Sequence, residues 1–312
     1  MFESILKLIF QVVFTLLIAP FFTGLIRKVK AKVQHRVGAP VLQPYYDLIK
    51  LFKKDLVVSS TSSWIYMLAP YVYFLTSVAA VICLPVVYQL TGFSFYADLL
   101  IVVYLFVTGR IFMTLAGLDT GSTFGGMGSS RELLVSALVE PALFMVIITV
   151  SATPGIASTN TVSIYEYAAA HTGAAFTPVN ILLFASMLMI LIAEASRIPV
   201  DDPATHLELT MVHEAMTLEY SGRQLAFVEL GTYMKQLVFM TFMANILMPV
   251  GFDAKNIFLG FGIYLIKLLI ITLLVAVVEI NTVKLRLYSI PNFAVIAFIV
   301  SVLGFLTVFI LR

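Results

Sequence analysis

Four carboxylates fall inside stretches of this sequence that otherwise carry mostly apolar side chains: Glu140, Glu194, Glu229 and Glu279. Three cations accompany them, Arg110, Lys235 and Lys267. A charged side chain at membrane depth costs ~2.5–3.5 kcal/mol on insertion scales, so it is normally paired or faces a water-filled path. Burial raises a carboxylate's pKa and a nearby cation lowers it, so a row of such groups across neighbouring helices could exchange protons near neutral pH. That is the chemistry of a proton or ion relay. The alternative is structural: Glu–Arg and Glu–Lys pairs that lock helices together, or groups near span ends that snorkel, a reading that suits Arg110 and Glu279 best.

A second group of chemically capable residues follows position 197. Glu208 and Glu219 are eleven residues apart, close to three helical turns, and so share a face. His206 and His213, seven apart, share another. His213-Glu214-Ala215-Met216-Thr217 begins like the zinc-protease signature HExxH, but threonine replaces the second histidine and the zinc site is not formed. The glycine-rich run Gly121 to Gly128 lacks a following Lys-Ser/Thr, so it reads as a turn where backbone passes close to something rather than a phosphate loop. Cys83 is the one cysteine, with no CxxC or Cys/His cluster around it. No metal centre or cofactor is expected in this chain, and Cys83 reads as a small buried hydrophobe.

The elements that must hold these groups follow from composition. Hydrophobic residues make up 61% of the 312-residue chain, charged residues 12%, and mean hydropathy is +1.02. Soluble domains average ~45–50% apolar and ~25% charged. The apolar runs approach the ~20 residues a helix needs to cross a bilayer. The expectation is an all-α integral membrane protein with about eight transmembrane helices, at roughly 4–26, 64–90, 97–118, 132–152, 179–197, 224–248, 256–279 and 291–311, forming a single polytopic membrane domain over 1–312.

Basic residues set the expected orientation. Arg27, Lys28, Lys30, Lys32, Arg36, Lys50, Lys53 and Lys54 crowd the first loop, and Arg131, Arg197, Arg223, Lys284 and Arg286 fall on the same side. The loop at 153–178 on the other side has no Lys or Arg. The segments at about 27–63, 119–131, 198–223 and 280–290 are therefore read as cytoplasmic loops of a plasma-membrane protein, with both termini on the extracytoplasmic side. Met1-Phe2-Glu3-Ser4 lacks a basic n-region, so the first apolar run is read as a retained span.

The cytoplasmic loops carry structure of their own. Leu42, Tyr45, Tyr46, Ile49 and Phe52 recur at helical spacing between Asp47, Lys50, Lys53 and Lys54, the pattern of an interfacial amphipathic helix. Arg197-Ile198-Pro199 stops the fifth span, and Asp202-Pro203 reads as an N-cap and first helical residue opening a helix to about Leu218. No inverted repeat of the secondary-transporter kind is evident.

Several of these loops resemble a known family. Ala195-Ser196-Arg197-Ile198-Pro199-Val200-Asp201-Asp202-Pro203-Ala204-Thr205-His206-Leu207-Glu208 resembles the loop signature of the complex I membrane subunit at the foot of the peripheral arm, subunit 1 or H, and of its hydrogenase relatives. His213 through Gly222, ending Glu219-Tyr220-Ser221-Gly222, fits the same pattern, and His35-Arg36-Val37-Gly38-Ala39-Pro40 is similar to the family's Arg-x-Gly-Pro element with Ala39 inserted. The spacing from Ala116-Gly117 through Arg131 to Glu140 is similar too. Within the family, Thr205-His206-Leu207-Glu208-Leu209-Thr210-Met211 resembles the group 4 membrane-bound [NiFe] hydrogenase branch, which includes formate hydrogenlyase, ferredoxin-dependent hydrogenases and a sulfane-reducing relative.

The resemblance implies a non-catalytic subunit that anchors a cytoplasmic hydrogenase-type module and couples it to H⁺ or Na⁺ translocation. It implies a NiFe centre and iron–sulfur clusters in partner subunits, namely peripheral large and small subunits, with antiporter-like subunits beside this chain in the bilayer. Glu140, Glu194, Glu208, Glu214 and Glu219 would line an acidic path, joined as ion-path candidates by Glu229, Lys235 and Arg110. Arg36, Arg131, Arg197, Asp201, Asp202 and His206 become candidates for docking the peripheral arm. A quinone- or sulfane-linked oxidoreductase subunit is the alternative within the family. An autonomous secondary transporter is the alternative outside it. No nucleic acid is expected among the partners.

Overall fold

The computed structural model describes residues 2–59, 62–86, 98–156, 158–171, 173, 176–201, 211–250 and 257–310. Among them the chain is helical, and its only β pairing is an isolated bridge between Asp98 and Asn160. In chain order the helices are α1 Phe2–Val33, α2 Gln43–Lys53, α3 Trp64–Cys83, α4 Leu99–Asp119, α5 Thr123–Ala152 and α6 Thr161–Ala170. They continue with α7 Pro178–Glu194, α8 His213–Thr217, α9 Gly222–Phe242, α10 Ile257–Asn281 and α11 Ile290–Ile310. A π-helical turn, Met243–Leu247, prolongs α9, and a short 3₁₀ turn, Leu287–Ser289, leads into α11.

Short polar side chains start several of these helices where the sequence turns apolar. Ser63, Asp98, Ser122, Asn160 and Thr177 each accept a backbone N–H from the first turn of α3, α4, α5, α6 and α7, satisfying donors that have no partner inside the helix. The expected spans correspond to α1, α3, α4, α5, α7, α9, α10 and α11. Among the described residues, α1, α3, α4, α5, α10 and α11 are long and apolar enough to cross a membrane, making six, and α7 is a shorter apolar helix. The count of eight is therefore not reached on length and hydropathy alone, because Glu229, Lys235 and Gln236 lower the hydropathy of α9. Inside the loop expected at 153–178, α6 is an additional helix capped by Asn160.

Three-helix contacts organise the bundle. α3 lies between α4 and α9, α11 packs on α5 and α7, and α1 packs on α9 and α10. Phe106 of α4 stacks on Phe239 of α9 with ring centroids 5.3 Å apart. Ser186 of α7 donates to the Ala297 carbonyl of α11 at 2.8 Å. Large apolar side chains on the outer faces stay exposed, as Leu17, Ile266, Ile299 and Leu303 do, which suits helices bounded by acyl chains.

α2 confirms the amphipathic pattern. Its Pro44 and Leu48 are buried against α1 and α9, while Tyr46, Ile49 and Phe52 remain exposed on the apolar side. Its approach to α1 depends on Gly24, where a Cβ would overlap the Val41 carbonyl. Gly24→Ala is expected to push α2 off α1 and cost about 1–3 kcal/mol, the usual range for overpacking. A lower melting temperature of the detergent-solubilised chain would register it.

The helix expected from Asp202 to Leu218 is not continuous. Residues 211 and 212 are non-helical, and the only helix described in this stretch is α8 at His213–Thr217. The physical reason is a cap from a distance: Asp201 Oδ2 accepts the backbone N–H groups of Val212 at 3.3 Å and His213 at 3.1 Å, so the helix starts there. The glycine run at 121–128 also differs from the expected turn. Only Gly121, at φ +66°, has turn geometry, while Gly125 and Gly128 lie inside α5, where a Cβ would meet the Gly117 and Val212 carbonyls respectively. Close backbone approach is the reason for the glycines, but a helix makes it.

Candidate functional site: a buried ion network across the bundle

Arg110 stands near the middle of α4, and only 5% of it is exposed. It donates from one terminal nitrogen to Glu140 of α5 and from the other to Glu194 of α7. Its Nε lies 3.6 Å from Glu132 Oε1, an ion pair beyond hydrogen-bond reach. Lys235 of α9 closes the network from the far side, its Nζ 2.6 Å from Glu194 Oε2 and 5.9 Å from the centre of the Phe106 ring. Four helices thus converge on five charges. The Arg110 fork is suited to this because one planar guanidinium presents donors in several directions at once.

Charges in this network do not cancel: three carboxylates face two cations. In a low-dielectric bundle that imbalance favours one further positive charge, a proton or a small cation. Position in the sequence puts Arg110 near a span end, where it could snorkel. The structure corrects this, with Arg110 buried eleven residues past the start of α4 and both terminal nitrogens engaged, while its Nε has no hydrogen-bond partner.

A second network adjoins the first through consecutive residues of α9, Lys235 and Gln236. Gln236 Oε1 accepts from Arg197 at 2.8 Å, and Arg197 also pairs with Glu279 of α10 at 3.4 Å. Lys30 of α1 reaches the other Glu279 oxygen at 3.3 Å. The C-terminal ends of α1, α7 and α10 therefore share one face of the bundle. Just beyond it, Asp201 pairs with Lys284 at 2.8 Å while capping α8. Asp201→Ala would remove cap and ion pair together, leaving the segment around α8 untied. The expected result is faster proteolytic cleavage near Leu218 and about 1–3 kcal/mol of lost stability. Unchanged cleavage would show that α8 is held by something else.

The turn between α8 and α9 is pinned to α3. Tyr66 and Tyr220 stack with centroids 4.3 Å apart, Tyr66 donates to the Glu219 carbonyl at 2.6 Å, and Tyr220 donates to the Tyr66 carbonyl at 3.1 Å. Burial, aided by Tyr66 and Asp119, pushes the Tyr220 hydroxyl well above the usual tyrosine range, so it remains a neutral donor. Tyr73 meets Thr232 at 3.3 Å, and Thr232 lies 3.5 Å from His213 Nε2.

Comparison with known proteins decides the family. The family described as NADH dehydrogenase matches residues 6–310. This chain belongs to the NADH dehydrogenase family. Formate hydrogenlyase subunit 4 of Escherichia coli is 31% identical over 95% of this chain and 98% of its own length. Hydrogenase-4 component C of the same organism is 31% identical over 86% of this chain and 84% of itself. The H-type subunit of the NADH-quinone oxidoreductase of Rubrobacter xylanophilus is 28% identical over 79% of this chain and 75% of itself. The fold is that of a chain in the membrane-bound sulfane sulfur reductase, an archaeal respiratory membrane complex, with a TM-score of 0.86 over 98% of this chain and 99% of that one at 20% identity.

In this NADH dehydrogenase family chain the sequence candidates divide. Glu140, Glu194, Lys235 and Arg110 are brought together. Glu229 is half-buried on α9, one turn before Tyr233 and outside the Arg110 network. Glu214 pairs with Thr217 within α8, and the Glu219 side chain is exposed. Arg36 is exposed on the first loop. Arg131 donates to the Met211 carbonyl at 2.8 Å. Two docking candidates lie inside rather than on a face: Arg197 is 7% exposed and Asp201 1%. Each is drawn in by an internal partner, Glu279 and Lys284 respectively. Asp202, His206 and Glu208 lie outside the described residues.

Sequence reasoning missed Glu132 and Gln236. Glu132 had a legible signal, since eight residues separate it from Glu140, a little over two turns, and the two share a face. Gln236 had none beyond following Lys235. Among the described residues no group of three His, Cys, Asp or Glu side chains is arranged to hold a metal ion. The chemistry assigned to these residues is that of carboxylates and cations, with no step through a NiFe or iron–sulfur group.

Proposed function

We propose that this chain anchors a hydrogenase-type redox module to the membrane and carries the first segment of its ion path. The observation that carries this reading is the Arg110 network, in which three carboxylates and two cations from α4, α5, α7 and α9 meet inside the bundle. Its excess carboxylate is the binding group for the transported H⁺ or Na⁺. Gln236 and the Arg197–Glu279–Lys30 cluster lead from it to the loop face, where the peripheral large and small subunits dock. The basic residues there support a cytoplasmic reading of that face, with both termini outside. NiFe and iron–sulfur centres belong to those partners, and antiporter-like subunits continue the path sideways through the bilayer.

The hydrogenase assignment rests on similarity to two Escherichia coli hydrogenase-system subunits, over nearly the whole length of one and most of the other. A sulfane-linked module is the second reading, favoured by the fold shared with the sulfane reductase chain. An autonomous transporter loses its basis, since these relatives are named as subunits or components of larger enzymes. Mild-detergent purification through a tag on this chain is the test. Co-purifying subunits with nickel, abundant iron and hydrogen evolution are expected. Iron without hydrogenase activity would move the module to the sulfane- or quinone-linked relatives, and a lone metal-free chain would overturn the anchor role.

A further inference from the structure

The Nε–H of Arg110 is a buried donor without a hydrogen-bond partner, on a residue otherwise held by charge-assisted bonds. A buried donor left unmade costs free energy, so the acceptor nearest to making that bond matters. Glu132 of α5 stands beside it, its Oε1 3.6 Å from Nε. An N–H···O bond forms at about 2.9–3.0 Å, so a movement of roughly 0.7 Å would complete it. The Glu132 side chain is 13% exposed against 4% for Glu194, which leaves Glu132 the freer of the two to move.

What such a movement gives up follows from the shape of the cation. The guanidinium is a rigid plane, so a shift that brings Nε to Glu132 carries both terminal nitrogens with it. One of their bonds, to Glu140 or to Glu194, must then lengthen. Among the described residues Glu140 pairs with no cation but Arg110, whereas Glu194 Oε2 also meets Lys235 Nζ at 2.6 Å. Leaving Glu140 would strand a charge inside the bundle, and leaving Glu194 would not. The favourable shift therefore exchanges Glu194 for Glu132 and keeps α4 tied to α5 through Glu140.

We propose that Glu132 is a positioning residue for the ion path: it is the second station of Arg110, which alternates between Glu194 and Glu132 during turnover. The proposal rests on the reading of the Arg110 network as an ion path. With Arg110 on Glu194, both cations meet at Oε2 and close that carboxylate to a further positive charge. With Arg110 on Glu132, Glu194 keeps Lys235 alone and is open to the transported H⁺ or Na⁺. Glu132 takes up no ion itself and acts through Arg110.

The test uses the complex purified through this chain. Electron cryomicroscopy of the donor-reduced and the oxidised complex is expected to show Arg110 Nε bonded to Glu132 in one state and Arg110 paired with Glu194 in the other. The same pairing in both states would overturn the switch. Glu132→Gln keeps the size of the side chain but removes the charge that draws Arg110 across. Losing one charge-assisted bond shifts a two-position balance about tenfold, so ions pumped per redox turnover should fall by about tenfold. Redox turnover and subunit content are expected to stay at the parent level. Full pumping in Glu132→Gln, with Glu194→Gln still impaired, would overturn the switch and leave the ion path standing. Full pumping in both variants would overturn the ion path itself, and the switch with it. Loss of assembled subunits in Glu132→Gln would make Glu132 a fixed clamp on Arg110 instead of a second station.

Discussion

A complex carrying Glu194→Gln is expected to lose ion pumping on the order of a hundredfold, while dye-linked redox turnover stays within about twofold, because a positioned proton-exchanging group contributes ~10²–10⁴-fold. Glu194 is the one carboxylate that touches both cations, Arg110 and Lys235. The amide keeps the shape of the side chain and an acceptor oxygen but removes its charge. Lys235 then faces no carboxylate in the network, and the pathway loses the group that links α4 to α9. Pumping by inverted vesicles, scored against turnover with an artificial electron carrier, separates the outcomes. Equal loss of both activities would mark an assembly defect, and full retention of pumping would make the network a structural clamp.

The largest stability effect is expected at Arg110. Arg110→Gln strands three carboxylates with Lys235 as their sole cation, and breaking a buried ion pair from one side typically costs about 3–5 kcal/mol. A single domain has only ~5–15 kcal/mol of stability in hand, so little assembled chain should survive in the membrane. Removing both members of a pair avoids the stranded charge. Arg110→Leu/Glu194→Leu is therefore expected to recover part of the assembled chain while remaining inactive in pumping. Quantitative immunoblotting of membranes, beside a thermal melt of the solubilised chain, gives both numbers. Assembly in Arg110→Gln equal to that of the parent would mean that water already reaches the network and screens it.

The two expectations pull apart the roles that a buried charge can play. Arg110, tied to three partners on two other helices, is chiefly what holds α4, α5 and α7 in register. Glu194, shared between two cations, is chiefly what an ion can protonate or occupy. A purely structural network would respond alike to both substitutions.

The sequence by itself determined that this chain is a bundle of membrane helices, because runs of about 20 apolar residues admit no other solution in a bilayer. Its apolar runs also came within two residues of the helix starts that Ser63, Asp98 and Thr177 cap, but put the start of α5 nine residues late, at 132 rather than at Thr123 after the Ser122 cap. Its loop motifs named the family, and the cost of burying charge singled out Glu140 and Glu194. Pairing was another matter. That Lys235 meets Glu194 and not Glu229, six residues away on its own helix, depends on how α9 is rotated against α7. Glu132 looked like the first residue of its span until α5 proved to begin at Thr123 and carry it inward. Arg197 and Asp201 looked like surface groups until Glu279 and Lys284, more than eighty residues away in sequence, drew them inside. Apolar spacing sets which stretches become helices, but only the packing of one helix on another fixes which side chains share a buried place, and in a low-dielectric bundle that choice decides the chemistry.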